Sequence, residues 1–184
     1  MISAIEKQAA ANHGTVRIMS DQDIPAVMQI QAECYPPLMQ ESEAVFRARL
    51  ALTPGTCWVW SPHGQEPAAY LFSYPSNKDV VTALDRPFKI AAAPDCLYLH
   101  DLAVAPGARG RQAANALVAV ALEHARADGL HWSALVSVQQ SRAFWSALGY
   151  ASMEMQHSPA KENLASYQVS ENQAAAVYMC QQLS

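Results

Sequence analysis

Hydrophobic and polar residues follow one another along this chain in short segments of two kinds. Alternation or a high β-branched content predicts strands at residues 15–19, 57–60, 68–74, 97–104, 132–138, 150–156 and 175–182. Helical spacing predicts helices from near Ser20 to before Pro36, and at residues 41–51, 109–127 and 141–148. The order of these elements predicts a mixed α/β (α+β) fold and offers no position at which the chain would divide into two domains.

Local sequence features sharpen several of these boundaries. Ser20 stands three residues before Asp23, which is the spacing of a capping box, and Pro25 lies in the first turn that follows. Residues 132–138 are almost continuously apolar, which is typical of a strand buried on both faces. Residues 76–95 lack a clear period and are expected to form a functional loop or a partly helical insertion. We expect one domain over residues 15–184, preceded by an N-terminal extension over residues 1–14.

Composition narrows the possible functions. The chain has 51% hydrophobic and 15% charged residues, which is the balance of a globular protein. It contains no run of 18 apolar residues, so the sequence does not predict a membrane-spanning helix. The net charge of −4 gives no basic surface for nucleic acid. The N-terminus lacks the pattern of a signal peptide, and four dispersed cysteines form no C-x-x-C pair. Together these features favour the reducing cytoplasm and argue against a zinc site.

A short turn of small and basic residues lies between the strand at 97–104 and the helix that follows. It comprises residues 108–114, with Arg109 and Arg111 on either side of a glycine. The N-terminus of a helix presents unpaired N–H groups and the positive end of the helix dipole, which together bind anions such as a diphosphate. From the residues alone, a diphosphate site and an ordinary strand-to-helix turn with two solvated arginines both remain open.

Two motifs resemble those of the GNAT superfamily, the Gcn5-related N-acetyltransferases. The segment LYLHDLAVAPGARGRQAANALV, residues 97–118, is similar to the family's acetyl-CoA motif, and AFWSALGY, residues 143–150, is similar to its second motif. The resemblance extends over nearly the whole chain. It implies a GNAT fold, in which a central, mostly antiparallel sheet of six or seven strands is splayed at the cofactor strand and flanked by about four helices.

The same resemblance implies that the cofactor, or co-substrate, is acetyl-CoA and that no metal takes part. The residues implied in binding it are Leu102, Ala103, Val104, Arg109, Gly110, Arg111, Gln112, Ala113, Ala114 and Phe144. The backbone of the first three pairs with the pantetheine arm in such sites, and the backbone from Arg109 to Ala114 holds the diphosphate. Gln112 stands where the family usually has glycine. A glutamine fits there if the residue keeps helical φ and ψ angles and its side chain points outward.

Direct transfer of an acetyl group to an amine needs a base and benefits from an acid. His100 is the candidate base, because polyamine acetyltransferases of the family carry glutamate there and arylalkylamine acetyltransferases carry histidine in a similar segment. Strand alternation puts Tyr98 on the same face as His100, and a backbone N–H near Leu102 is the candidate oxyanion hole. Asp101 is expected on the opposite face unless a bulge intervenes. The family's usual acidic tyrosine aligns with Trp145, so Tyr98, Tyr150 and solvent remain alternative proton donors.

These features predict an enzyme, an acyltransferase that moves acetyl from acetyl-CoA to a primary amine of a small molecule. Weaker similarity to the arylalkylamine and polyamine acetyltransferases favours that substrate class. Acetylation of a protein or peptide amine and a non-catalytic acyl-CoA-binding regulatory role are the alternatives. We expect no nucleic-acid or membrane partner, and a monomer or a homodimer.

Overall fold

The computed structural model describes residues 14–155, 159–167 and 175–183. The expected N-terminal extension lies outside the described residues apart from Gly14, as does Gln156 at the end of one expected strand. Seven strands are present: β1 Thr15–Ile18, β2 Cys57–Ser61, β3 Ala69–Ser76, β4 Cys96–Val104, β5 Trp132–Ser137, β6 Ala151–Ser152 and β7 Val177–Gln182. Five α-helices are described: α1 Ile24–Cys34, α2 Glu43–Leu52, α3 Ala113–Ala127, α4 Arg142–Ala147 and α5 Ala160–Ala165.

All seven strands join in one sheet of order β1-β2-β3-β4-β5-β7-β6. Only the central β4–β5 pair is parallel; the others are antiparallel. This arrangement confirms the predicted fold class. One helix, α5, lies in a polar stretch where the sequence predicts only a loop.

The sheet is covered on both faces by apolar clusters. One face packs against α1 and α2, through side chains such as Val27 and Phe46. The other face packs against α3, whose alanine-rich sequence favours a helix, and which buries Ala113, Leu117, Val118, Ala121, Leu122 and Ala125. Gly129 ends this helix with a φ of +74°, as expected of a glycine after a helix. β4 therefore lies in the middle of the domain, between two packed layers of helices.

Two boundaries differ from those expected from the sequence. The expected helix at 109–127 begins only at Ala113, because Gly110 and Gln112 have φ angles of +76° and +63°, outside the helical range. The expected helix at 41–51 begins at Glu43, with the Ser42 side chain accepting a hydrogen bond from the Val45 backbone. Glu41 is thereby left before the helix, in a loop that approaches β4. None of the described helices is long and apolar enough to cross a membrane.

Candidate active site

The two parallel central strands separate halfway along their length. β4 pairs with β5 from Cys96 to Leu99, opposite Trp132 to Leu135, and the pairing ends there although both strands continue. A cavity of about 370 Å³ opens at this point and is lined by every residue from Leu99 to Val104. Its volume lies in the range of small-molecule sites, and its walls are mostly apolar with a few polar groups. The splayed strand expected from the sequence resemblance is therefore present.

A bulge in β4 sets which side chains face the cavity. Phe72 on β3 pairs with Asp101, but the next residue, Ser73, pairs with Leu99, so His100 has no partner in the β3 ladder. As a result His100 and Asp101 lie on the same side of the sheet. His100 packs against Phe88, and Asp101 bonds to Tyr70. The expectation that Asp101 lies on the opposite face is therefore corrected, and the bulge is the physical reason.

His100 is buried at the inner end of this cavity, with its two ring nitrogens facing different groups. Nε2 lies 3.4 Å from Glu41 Oε2, and Nδ1 lies 3.4 Å from the Tyr167 hydroxyl. Burial and the nearby Arg49 guanidinium lower the pKa of His100, and Glu41 partly offsets this by favouring the charged form. A lowered pKa keeps the imidazole neutral at physiological pH, which is the form able to accept a proton.

Glu41 is in turn held by a buried arginine. Arg49 Nη1 and Nη2 each donate to a different oxygen of the Glu41 carboxylate at 2.6 Å, and the Arg49 side chain is 0% exposed. The backbone N–H of Asp85 also donates to Glu41, at 2.7 Å. The positive charges and hydrogen bonds around this carboxylate outweigh the effect of burial and hold the pKa of Glu41 well below its ordinary value. The histidine thus rests against a carboxylate that stays ionised.

Asp101 is the second carboxylate on the cavity wall. Its Oδ1 accepts a hydrogen bond from the Tyr35 hydroxyl at 2.7 Å, and its Oδ2 accepts one from the Tyr70 hydroxyl at 2.6 Å. Burial and the negative charge of Glu41 raise the pKa of Asp101 to about 6, although both tyrosine hydrogen bonds act in the opposite direction. Asp101 is an intermediate residue in exposure, whereas Glu41 is buried, and both line the cavity.

The turn before α3 forms the outer end of the site. Gln112 adopts a left-handed conformation, with φ +63° and ψ 12°, directly before the first helical residue. Its side chain does not cap the helix and instead accepts a hydrogen bond from Asn115. The condition under which a glutamine fits here, helical φ and ψ angles, is therefore not met: this position has the conformation that glycine adopts without strain. The first N–H groups of α3 are consequently left without a side-chain cap.

The structure brings together most of the residues implied in cofactor binding. Those that line the cavity are Leu102, Ala103, Val104, Arg109, Ala114 and Phe144. Gly110, Arg111 and Gln112 are exposed in the turn, and Ala113 is buried beneath it. Residues of β4, the turn and α4 thus meet around one opening, although the two elements at its ends are far apart in the sequence.

The candidate proton donors are placed less favourably. Tyr98 is fully buried outside the cavity lining, and its hydroxyl has no hydrogen-bond partner among the described residues. Burial raises the pKa of Tyr98 well above its ordinary value. Tyr150 is also buried away from the cavity, and its hydroxyl is paired with Ser133. Trp145 lines the cavity but has no ionisable group.

Two tyrosines that the sequence analysis did not select as proton donors do line the cavity. Tyr35 follows α1, and Tyr167 follows α5, where its hydroxyl donates to the Thr82 carbonyl at 2.7 Å. Glu41 and Arg49 were likewise missed. Tyr167 lies in a polar stretch with no periodic pattern. Among the described residues, no group of three or more acidic, histidine or cysteine side chains forms a metal site.

Comparison with known proteins supports one family. The family model described as "Acetyltransferase (GNAT) family" matches residues 24–150. This range includes the turn, α4 and every residue that lines the cavity except Tyr167. A search of curated protein sequences gave no significant match.

Solved structures with the same fold have different activities. The phosphinothricin acetyltransferase of Sinorhizobium meliloti in complex with AcCoA has a TM-score of 0.68 and 16% identity, covering 93% of this chain and 89% of its own. The ribosomal-protein-S18-alanine N-acetyltransferase of Escherichia coli has a TM-score of 0.64 and 17% identity, and the match covers 93% of this chain and 94% of that enzyme's chain. The GphF GNAT-like decarboxylase in complex with isobutyryl-CoA has a TM-score of 0.68 and 16% identity, covering 92% and 99%. At these identities the likeness shows the fold alone.

Proposed function

The chain belongs to the acetyltransferase (GNAT) family of acyltransferases, and from this premise we propose that it transfers acetyl from acetyl-CoA directly to a primary amine of a small molecule. The observation that carries the proposal is the opening between β4 and β5 beside the N-terminus of α3. It provides an extended strand, an anion-binding helix end and a buried histidine in one cavity.

The residues around this opening fit acetyl-CoA. The β4 backbone from Leu102 to Val104 no longer pairs with β5, which leaves an edge for the amide groups of a pantetheine arm. The uncapped N–H groups at the start of α3, with Arg109 beside them, suit a diphosphate. Phe144 adds apolar surface to the same opening. When bound, acetyl-CoA supplies an activated acyl group as a thioester.

The chain's own groups would perform the proton transfers. We assign His100 as the base that takes a proton from the acceptor nitrogen, since its lowered pKa keeps it neutral at pH 7. The neutral nitrogen then attacks the thioester carbon, the carbon–sulfur bond breaks, and the nitrogen loses its second proton to solvent as the amide forms. A backbone N–H near Leu102 would stabilise the negative charge that develops on the carbonyl oxygen. The departing thiolate takes a proton from solvent or from a tyrosine of the cavity.

The loop at residues 76–95 supports a small acceptor. Leu84 from this loop lines the cavity, and the Asp85 side chain accepts hydrogen bonds from the Ser42 backbone and hydroxyl. The Arg86 carbonyl accepts two hydrogen bonds from Arg49, and the Thr82 carbonyl accepts one from Tyr167. A loop anchored at so many points narrows the space that an extended peptide would need. Acetylation of a peptide or protein amine is therefore the second candidate.

Free-thiol release from acetyl-CoA, with a panel of small primary amines and short peptides, tests this proposal. We expect release only with small amines, and mass spectrometry should identify the N-acetyl product. His100→Ala should lose at least about tenfold in kcat, because general base catalysis typically contributes a hundredfold or more. His63→Ala, in an exposed turn, is the matched control. Release with peptides alone would favour the second candidate, and binding of acetyl-CoA without release from any acceptor would favour a regulatory protein.

We also propose a reducing compartment such as the cytoplasm as the working location. All four cysteines, at positions 34, 57, 96 and 180, are free thiols, and three of them are buried. Free buried cysteines are typical of proteins that work in such compartments.

A further inference from the structure

The carboxylate of Asp101 differs from the two acidic side chains among the described residues that are most strongly buried. Asp23 and Glu41 are both about 5% exposed, and each is paired with an arginine at 2.6 to 2.7 Å. Asp101 has two tyrosine hydroxyls in place of an arginine, and no Lys, Arg or His side chain of the described residues forms an ion pair with it. It is a negative charge in a largely apolar cavity with no cation to balance it.

The hydrogen bonds to Asp101 hold it in place and leave part of it open. An ionised carboxylate has about four lone-pair positions, of which one on each oxygen is used by Tyr35 or Tyr70. Tyr70 is fully buried in the sheet and Tyr35 is partly exposed beside the cavity, so the carboxylate is fixed from both sides. The remaining lone pairs are available to a donor that enters the cavity, which Asp101 lines.

Asp101 lies between two residues that are assigned to the reaction. Asp101 directly precedes Leu102, whose backbone is assigned to the oxyanion site, and it directly follows His100. The Tyr35 hydroxyl also lies 3.2 Å from the Leu102 carbonyl. One side chain therefore contacts both the Asp101 carboxylate and the backbone of Leu102. A group bound by Asp101 is thereby close to where the acyl carbon would lie.

The surrounding charges do not supply the missing cation. The titratable or charged groups around this part of the cavity are Cys34, Glu41, Arg49, His100, Arg109 and the tyrosines Tyr35, Tyr70 and Tyr167, which burial keeps in the neutral form. Glu41 and Arg49 neutralise each other, and burial favours neutral forms of His100 and of the Cys34 thiol. Arg109 is exposed in the turn and interacts with the Cys34 thiol, and it forms no ion pair with Asp101 among the described residues.

We propose that Asp101, held by Tyr35 and Tyr70, binds the acceptor as an ammonium cation before it is deprotonated. The inference rests on the proposed function and extends it: the preferred acceptors carry an aliphatic amine that is protonated in solution, and the carboxylate positions that nitrogen beside His100. The raised pKa of Asp101 agrees with this role, because a bound cation would remove part of the cost of keeping the carboxylate ionised. Amines of low basicity, such as anilines, are expected to be poor acceptors.

The test measures the titration of Asp101 by NMR of protein labelled with 13C at the aspartate carboxyl carbon. The probe is n-butylammonium chloride, compared with sodium chloride at equal ionic strength and with n-butanol as a neutral isostere. Loss of one signal in Asp101→Asn assigns the resonance. Asp23, already paired with Arg17, serves as the internal control.

We expect n-butylammonium to lower the midpoint of the Asp101 titration and to leave that of Asp23 unchanged. A cation that binds only the ionised form shifts the midpoint by about 0.3 pH unit when its concentration equals its Kd, and by about 1 unit at ten times Kd. Tyr35→Phe should reduce the shift, and n-butanol should cause none. An Asp101 midpoint that is the same in 100 mM n-butylammonium and in sodium chloride would overturn the proposal.

Calorimetry with acetyl-CoA on the same samples separates this proposal from the proposed function. A protein that binds acetyl-CoA but shows no n-butylammonium shift lacks the ammonium site alone. A protein that binds no acetyl-CoA fails the proposed function, whatever the titration of Asp101 shows. For an amine that is turned over, Asp101→Asn should raise KM by at least about tenfold, the loss expected for a charge-assisted hydrogen bond.

Discussion

Replacing Glu41 by glutamine tests the buried ion pair that supports the site. The Glu41 and Arg49 side chains are 4% and 0% exposed, and the substitution removes the negative charge that balances the buried guanidinium and replaces one of its two carboxylate acceptors with an amide NH2 group. Removing one partner of a buried pair typically costs about 3 to 5 kcal/mol of the free energy of unfolding. For a domain of this size, that corresponds to a fall in Tm of roughly 6 to 20 °C.

Urea unfolding at pH 7.5, followed by circular dichroism, provides the assay. Glu43→Gln is the matched control: it removes an exposed carboxylate that pairs with Arg47, and exposed pairs contribute little. The double variant Glu41→Leu/Arg49→Met should recover most of the loss, because it leaves no unpaired buried charge. If Glu41→Gln is as stable as Glu43→Gln, the pair does not have the role assigned to it.

The pH dependence of this stability follows from the lowered pKa of Glu41. A carboxylate whose pKa is lower in the folded state binds fewer protons there than in the unfolded chain. Its contribution is therefore fully present above the ordinary glutamate pKa of about 4.3 and is lost as the pH falls below it. The difference in the free energy of unfolding between the wild type and Glu41→Gln should therefore become smaller as the pH falls below that value.

Three further outcomes are expected. The kcat of the wild type should rise with pH to a plateau, and the rise that reflects loss of the His100 proton should lie below the ordinary histidine pKa of about 6.5. A His100→Ala variant that keeps full kcat from pH 6 to 9 would exclude His100 as the base. Gln112→Gly should bind acetyl-CoA more tightly than the wild type and should be at least as stable, since a residue with a side chain costs about 1 kcal/mol of conformational free energy in the left-handed region. Weaker binding by Gln112→Gly than by Gln112→Ala, measured by calorimetry, would contradict this. The free energy of unfolding of Asp101→Asn relative to the wild type should be higher at pH 8 than at pH 5 by about 1 kcal/mol, because the folded wild type binds more protons than the unfolded chain between pH 3.8 and about 6; an equal difference between the two proteins at both pH values would refute that reasoning.

The fold and the cofactor segment could be predicted because their signals are local. The apolar run at residues 132–138 and the alternation at residues 97–104 each require a buried strand whatever surrounds them. Gly129 marks the end of α3 by a conformational requirement that needs no knowledge of the tertiary structure. The sequence predicts a turn before α3 but ends it four residues too early, because a glutamine at position 112 conceals the need for a positive φ.

The acid–base groups could not be predicted in full because they depend on long-range packing. The face on which Asp101 lies is set by a bulge, which shifts the ladder by one residue and has no signature in β4 itself. Tyr167 meets His100 across 67 residues, from a polar segment without period. Glu41 and Arg49 are only eight residues apart, but their contact requires Glu41 to lie outside the helix that contains Arg49.

Calorimetric titration of acetyl-CoA into three forms of the protein tests the central claim most directly. Ala114→Asp introduces a carboxylate at the second position of α3, where it suits the helix dipole but repels a diphosphate. Ala44→Asp makes the same change at the second position of α2, away from the cavity. We expect the wild type and Ala44→Asp to bind with similar Kd, and Ala114→Asp to bind at least about tenfold more weakly, a loss near 1.4 kcal/mol. Equal affinity in all three forms, or no binding by the wild type, would contradict the assignment of this opening as the acetyl-CoA site.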